Sequence, residues 1–212
     1  MTDYRGFESV SIACPIPPQG IVLCLYAPAR IIKAVANVTA INGYRKAVLE
    51  DIDQVMVAIE DARDLLRLQG NGQWQDGYPN RDDLLNDISK GRLFVIPDPD
   101  QPAVIVGLCA LTYHEADYEH LYEGAWLTNL PYMVMHRVAI RKEYRGHGYG
   151  KRLFEVFEAQ AKVEGYRSLR IDTHEGNAIM RHLLVDAGFV FCGRAILTPN
   201  KDRMVFEKVL EE

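Results

Sequence analysis

The stretch Tyr144-Arg145-Gly146-His147-Gly148-Tyr149-Gly150-Lys151 decides how this chain is read, because of what flanks it. Tyr132 to Ile140, rich in Val, Met and Ile, predicts a buried strand, and the pattern starting near Lys151 predicts a helix. Three glycines within five residues leave the backbone of the turn unobstructed, so several N–H groups can converge on one anion. The helix that follows adds its unpaired N-terminal donors and the positive end of its dipole. Strand, glycine loop and helix in this order predict a phosphate cradle.

Spacing separates the phosphate loops that share this outline. A dinucleotide fingerprint beginning at Gly146 requires its third glycine at position 151, which is Lys151. A P-loop using Gly150 and Lys151 requires glycine where Arg145 stands and a hydroxyl where Arg152 stands. The pattern that fits is Arg-X-X-Gly-X-Gly, as Arg145, Gly148 and Gly150, and it resembles the acyl-CoA pyrophosphate loop of the GNAT acetyltransferase superfamily. Val138-Ala139-Ile140 is similar to the segment that ends the preceding strand in that superfamily. Asn177 followed by a helix ending at Gly188-Phe189 is similar to its Asn…Gly-Phe signature. The resemblance runs from about Gly43 to the C-terminus and is most specific between Met133 and Phe189.

The resemblance implies acetyl-CoA as cosubstrate. Arg145, Gly146, His147, Gly148, Tyr149, Gly150 and Lys151 would surround its pyrophosphate, chiefly through backbone N–H groups. Val138 and Ile140 would pair with the pantetheine arm, a backbone N–H near Ile140 would polarise the thioester carbonyl, and Asn177 would complete the cofactor set. For Lys151 an exposed first-turn lysine is the competing reading, and for His147 a solvent-facing side chain. The implied fold class is α/β (α+β): a mixed, mostly antiparallel central sheet with helices on both faces and a parallel pair at the acyl-CoA cradle.

Composition supports an ordinary globular domain of 212 residues, 48% hydrophobic and 25% charged. A net charge of −5 argues against coating nucleic acid or anionic membrane, while leaving room for a local basic pocket. Cys14, Cys24, Cys109 and Cys192 lack metal-type spacing, and no metal site is expected. The apolar stretch 20–40 is interrupted by Pro28, Arg30 and Lys33, which makes it a poor spanning helix, and no basic segment precedes an apolar one near Met1. A cytoplasmic location is the resulting expectation, and the sequence leaves room for a homodimer.

Residues 1–42, punctuated by Pro15, Pro17, Pro18 and Pro28, are expected to be an N-terminal extension, poorly ordered or loosely packed, before a GNAT-like domain over 43–212. Within that domain a short strand at 44–47 precedes a helix carrying the stripe Ile52, Val55, Met56 and Ile59 and ending at Gly70. A second helix starts at Asn80 and stops at Gly91. Strands at 93–96 and 103–112 form a hairpin, and 113–130 shows little period. Beyond the loop, Leu153, Phe154, Phe157 and Ala161 mark the inner face of the crossover helix, and strands are expected at 168–173, 190–197 and 203–209.

Acyl transfer to an amine requires orientation, an oxyanion donor and proton handling. Many members of the superfamily carry a tyrosine acid four residues before the glycine of Gly-Phe, which here is Leu184, and a glutamate base early in the cradle strand, which here is Val134. His136 and His174 are the candidate proton acceptors, His136 from the same side of the strand as Val134 and Val138. Each has a structural alternative: a core histidine for His136, and a loop brace near Asp172 or Asn177 for His174. Trp74 and Tyr78, between the first two helices, are candidate acceptor contacts, as is Trp126 within a stretch of aromatics and carboxylates that includes Glu115 and Asp117. The function expected is N-acetyl transfer to an amine of a small molecule or peptide by direct attack in a ternary complex. A non-catalytic acyl-CoA-binding or regulatory module is the alternative.

Overall fold

The structure, a computed structural model, describes residues 43–211; the expected extension over 1–42 lies outside the described residues. Eight strands form one sheet: β1 (Arg45–Lys46), β2 (Leu93–Pro97), β3 (Ile105–Thr112), β4 (Glu123–Gly124), β5 (Tyr132–Ile140), β6 (Ser168–Thr173), β7 (Val190–Leu197) and β8 (Lys201–Val209). Their order is β1-β2-β3-β5-β6-β8-β7-β4. Every neighbouring pair is antiparallel except β5 and β6, which are parallel. The mixed sheet and its single parallel pair match the expectation from sequence.

Among the described residues four helices cover the sheet: α1 (Ile52–Leu68), α2 (Arg81–Ser89), α3 (Tyr149–Val163) and α4 (Ala178–Asp186). Alternation along the strands sends side chains to opposite faces. Phe94, Ile96, Met133 and Met135 point to a core shared with Leu153, Phe154 and Phe157 of α3 and Leu184 of α4. Leu93, Val95, Ile105 and Leu108 point the other way, onto Val55, Ala58 and Ile59 of α1 and Leu84 of α2. The helix starts follow local chemistry: Asn80 accepts from the N–H groups of Asp82 and Asp83, and Asn177 accepts from that of Met180.

The segment 113–131 is more ordered than its composition predicts. A 3₁₀ turn at Ala116–Tyr118 buries Tyr118 completely, and β4 pairs with β7 on the sheet edge. With Val134, Cys192, Ala195 and Val205 these residues make a third core cluster on the α1 side of the sheet. Gly124 and Gly193 allow the close pairing, since a Cβ on either would lie 2.0 Å or 1.9 Å from a carbonyl oxygen of the other strand.

Candidate functional site

The site begins with an irregularity in β5. Leu108 of β3 lies opposite Ala139 while Ala110 lies opposite His136, so Cys109 faces both Arg137 and Val138. Arg137 takes up the extra residue with φ of 54°, a left-handed conformation uncommon for a side chain of its size. The bulge resets the strand's alternation: Val138 and Ile140 join Met133 and Met135 on the α3 side, while Ala139 packs toward α1. His136 therefore does not share a side with Val138, which corrects the parity read from sequence.

Below the bulge β5 pairs with β6 at Tyr132, Met133 and Val134, and the pairing ends there. β6 continues alongside β8 to Thr173. The two parallel strands thus part around a cleft of about 780 Å³, lined on one side by residues 135–140 and on the other by 171–173.

One end of the cleft is the glycine loop. Gly146 and Gly148 have φ of 79° and 83°, and a Cβ on either would meet nothing within 4 Å, so both are needed for backbone shape and leave the cradle open. Gly150 is different: a Cβ there would sit 3.2 Å from Leu183, so this glycine lets α3 and α4 approach. Gly148 is the N-cap of α3, no side chain caps the helix, and its first turn carries no acidic residue. The N-terminal N–H groups and the open backbone fit a pyrophosphate. The Arg145 side chain donates to the carbonyls of Ile140 and Asp61 and so fixes the loop, and Arg145 lines the cleft. Lys151 is exposed beside Glu155, and His147 is exposed and does not line the cleft. Replacing Gly148 by alanine is expected to cost about 1–2 kcal/mol of stability from the left-handed backbone, with a raised KM for acetyl-CoA. Thermal unfolding and donor titration would measure the two effects.

The other end carries ionisable groups. His136 Nε2 lies 3.3 Å from a Glu115 carboxylate oxygen, and the contact is only partly exposed. The hydrogen bond from His136 holds the Glu115 carboxyl below its ordinary value, against the opposing effect of burial. Tyr118 donates to Asp172 at 2.7 Å, and the Arg203 guanidinium lies 3.3 Å from the other oxygen of Asp172. Burial and the neighbouring Asp172 raise the Tyr118 phenol well above its usual range. Asp117 accepts from the backbone N–H and hydroxyl of Thr198.

Trp74 and Tyr78 line the cleft, and so does Asn177. His174 does not: its Nδ1 accepts from the Gly176 N–H at 3.0 Å, a brace to Gly176 rather than to the side chains of Asp172 or Asn177, and the residue borders an adjoining pocket of about 280 Å³ that shares Trp74, Lys201 and Arg203 with the cleft. Trp126 also lies away from the cleft, donating to the Tyr118 carbonyl with its ring 4.1 Å from the Arg170 guanidinium. Leu184, at the position of the superfamily's tyrosine, is wholly buried and offers no proton donor. Arg137, Asp172, Lys201 and Arg203 also line the cleft and carry no sequence signal of their own. Arg137 arrives by the bulge, Asp172 near the end of β6, and Lys201 and Arg203 at the start of β8.

The sequence profile of the acetyltransferase (GNAT) family matches residues 59–189. This chain belongs to that family. An acetyltransferase of the GNAT family from Streptococcus agalactiae is 34% identical, with a TM-score of 0.71 over 80% of this chain and 95% of that one. The PaiA N-acetyltransferase from Thermoplasma acidophilum, solved in complex with coenzyme A, is 18% identical and shares the fold with a TM-score of 0.57 over 78% of this chain and 97% of that one. The mouse N-alpha-acetyltransferase 80 is 29% identical over 117 residues, 55% of this chain, and the chain spans 31% of that relative's length. As a GNAT acetyltransferase the chain uses acetyl-CoA as donor, and the glycine loop has the open, uncapped backbone such a donor needs. Among the described residues no helix is long and apolar enough to cross a membrane.

Proposed function

We propose that this acetyltransferase moves the acetyl group of acetyl-CoA onto the amine of a small molecule or peptide by direct attack in a ternary complex, with His136 as general base. The observation that carries the proposal is the His136–Glu115 pair, held at 3.3 Å inside the cleft and next to the point where β5 leaves β6. Acetyl-CoA supplies the activated thioester. Glu115, ionised at neutral pH, accepts from His136 Nε2–H and thereby assigns the neutral tautomer, with the lone pair on Nδ1. That nitrogen takes the proton from the acceptor ammonium, directly or through one water, and frees the attacking amine. Trp74 and Tyr78 supply flat apolar surface for the acceptor in the cleft lining. With Leu184 in the core, the departing thiolate takes its proton from solvent or from the proton held on His136.

The test is an amine screen that reads thiol release from acetyl-CoA, with mass spectrometry for an added acetyl group. Acetylated product from at least one amine is the expected result. Tight coenzyme A binding with no product from any amine would favour the non-catalytic acyl-CoA-binding module instead, a reading to which the buried Leu184 lends its only support.

A further inference from the structure

We propose that the acceptor carries a carboxylate beside its amine, received by Arg137, Tyr78 and Lys201; this rests on the acetyl-transfer reading above. The Tyr78 ring gathers two cations in the cleft wall: its centroid is 5.3 Å from the Arg137 guanidinium and 5.3 Å from the Lys201 ammonium. All three residues line the main cleft.

The cations around that ring are unequally matched by carboxylates. Arg137 lies 2.6 Å from Asp87, a carboxylate with no exposure, and Arg92 lies 2.8 Å from the same group. One buried negative charge is thus shared by two guanidiniums, and the next carboxylate toward Tyr78, Asp83, accepts from the Asn80 N–H at the start of its own helix. Lys201 pairs with Asp76 at 2.9 Å, but the Asp76 side chain is 53% exposed, and an exposed pair of this kind is exchanged at small cost. Arg203, alongside, is matched by Asp172.

The cleft also contains the opposite sign. Glu115 and Asp117 line it beside His136, where an ammonium is attracted before it gives up its proton. An acceptor with an amine alone would leave the cleft-lining Arg137 and Lys201 without an anion of its own. An acceptor with both charges answers both walls and fixes the orientation of the amine toward His136. Arg137 is suited to this: the bulge, the buried Asp87 and the Tyr78 face hold its side chain at 14% exposure, so little freedom is lost when an anion binds.

The experiment compares kcat/KM for free amino acids and for their carboxamides, with short peptides bearing an acidic side chain as a third arm, in wild type, Lys201→Gln, Lys201→Arg and Arg137→Gln. Wild type is expected to favour the carboxylate over the carboxamide by about tenfold or more, expressed in KM. Lys201→Gln is expected to reduce that preference several-fold and Lys201→Arg to restore it, a rescue that loss of packing alone would not produce. Preference among free amino acids assigns the carboxylate to the small acceptor itself; preference only among acidic peptides assigns it to a peptide side chain, and both support the proposal. Should Arg137→Gln fail to fold, the wild-type ratio and the Lys201 series still decide. Equal rates for carboxylate and carboxamide, or a ratio unmoved in Lys201→Gln, overturn the proposal while acetyl transfer stands. Absence of acetylated product from every amine in wild type overturns it together with the acetyl-transfer reading.

Discussion

Replacing His136 by alanine is expected to lower kcat/KM by about 10²–10⁴-fold, the range a positioned general base contributes. The loss should fall on kcat, with KM for acetyl-CoA near its wild-type value, because the glycine loop is built from other residues. The pH profile separates a base from a packing role. The hydrogen bond from His136 holds the Glu115 carboxyl below the ordinary carboxylate range, so it is ionised throughout the neutral range. Its contribution to stability is present above the unfolded carboxylate value and is lost as pH falls through the depressed folded one. An acid limb of the rate profile near neutrality therefore cannot arise from Glu115. His136→Gln, which keeps a donor toward Glu115 but offers no nitrogen base to the acceptor, should lose rate as the alanine variant does. Glu115→Gln should lower the rate less, since the imidazole stays in place without its charged partner. Wild-type kcat/KM across pH in both His136 variants would end the general-base assignment.

The same bulge explains why the fold was more legible in the sequence than the site. Glycine positions, helix caps and apolar stripes are local signals, and they located the four helices, the hairpin, β6 and the last two strands within a few residues. The bulge has no such signal, because the left-handed residue is Arg137 and not a glycine or asparagine. Counting every second residue from Val134 put His136 and Val138 together; one extra residue in the strand separates them and opens the cleft at the same place. The partner of His136 was equally hidden. Glu115 lies 21 positions earlier, in a segment whose mixture of aromatics and carboxylates reads as a solvated loop, and only the folded sheet brings it to β5. The reverse error concerns Trp126. A large aromatic among acidic residues suggests a ligand wall, but its ring covers a buried guanidinium.

That guanidinium marks the second large effect. Glu207→Ala is expected to destabilise the protein by about 3–5 kcal/mol, as removing one partner of a buried ion pair commonly does, and so to remove much of the stability of an ordinary domain. Glu207 on β8 has no exposure and accepts from the backbone N–H of Leu127, the Thr128 hydroxyl, the Ser168 hydroxyl and the Arg170 guanidinium. Arg170 on β6 is held in turn between the rings of Trp126 at 4.1 Å and Tyr132 at 4.0 Å. Alanine would leave a guanidinium and several donors buried with one acceptor fewer, whereas Glu207→Gln keeps an acceptor oxygen for part of the set and should cost less. Because the network joins β6, β8 and the segment that carries Glu115, its loss should loosen the acceptor wall before the glycine loop. Denaturant unfolding would give the stability change, and Trp126 fluorescence would follow the local one. At temperatures where Glu207→Ala remains folded, KM for the amine should rise more than KM for acetyl-CoA. An equal rise in both would mean that the network supports the whole sheet and not the acceptor wall in particular.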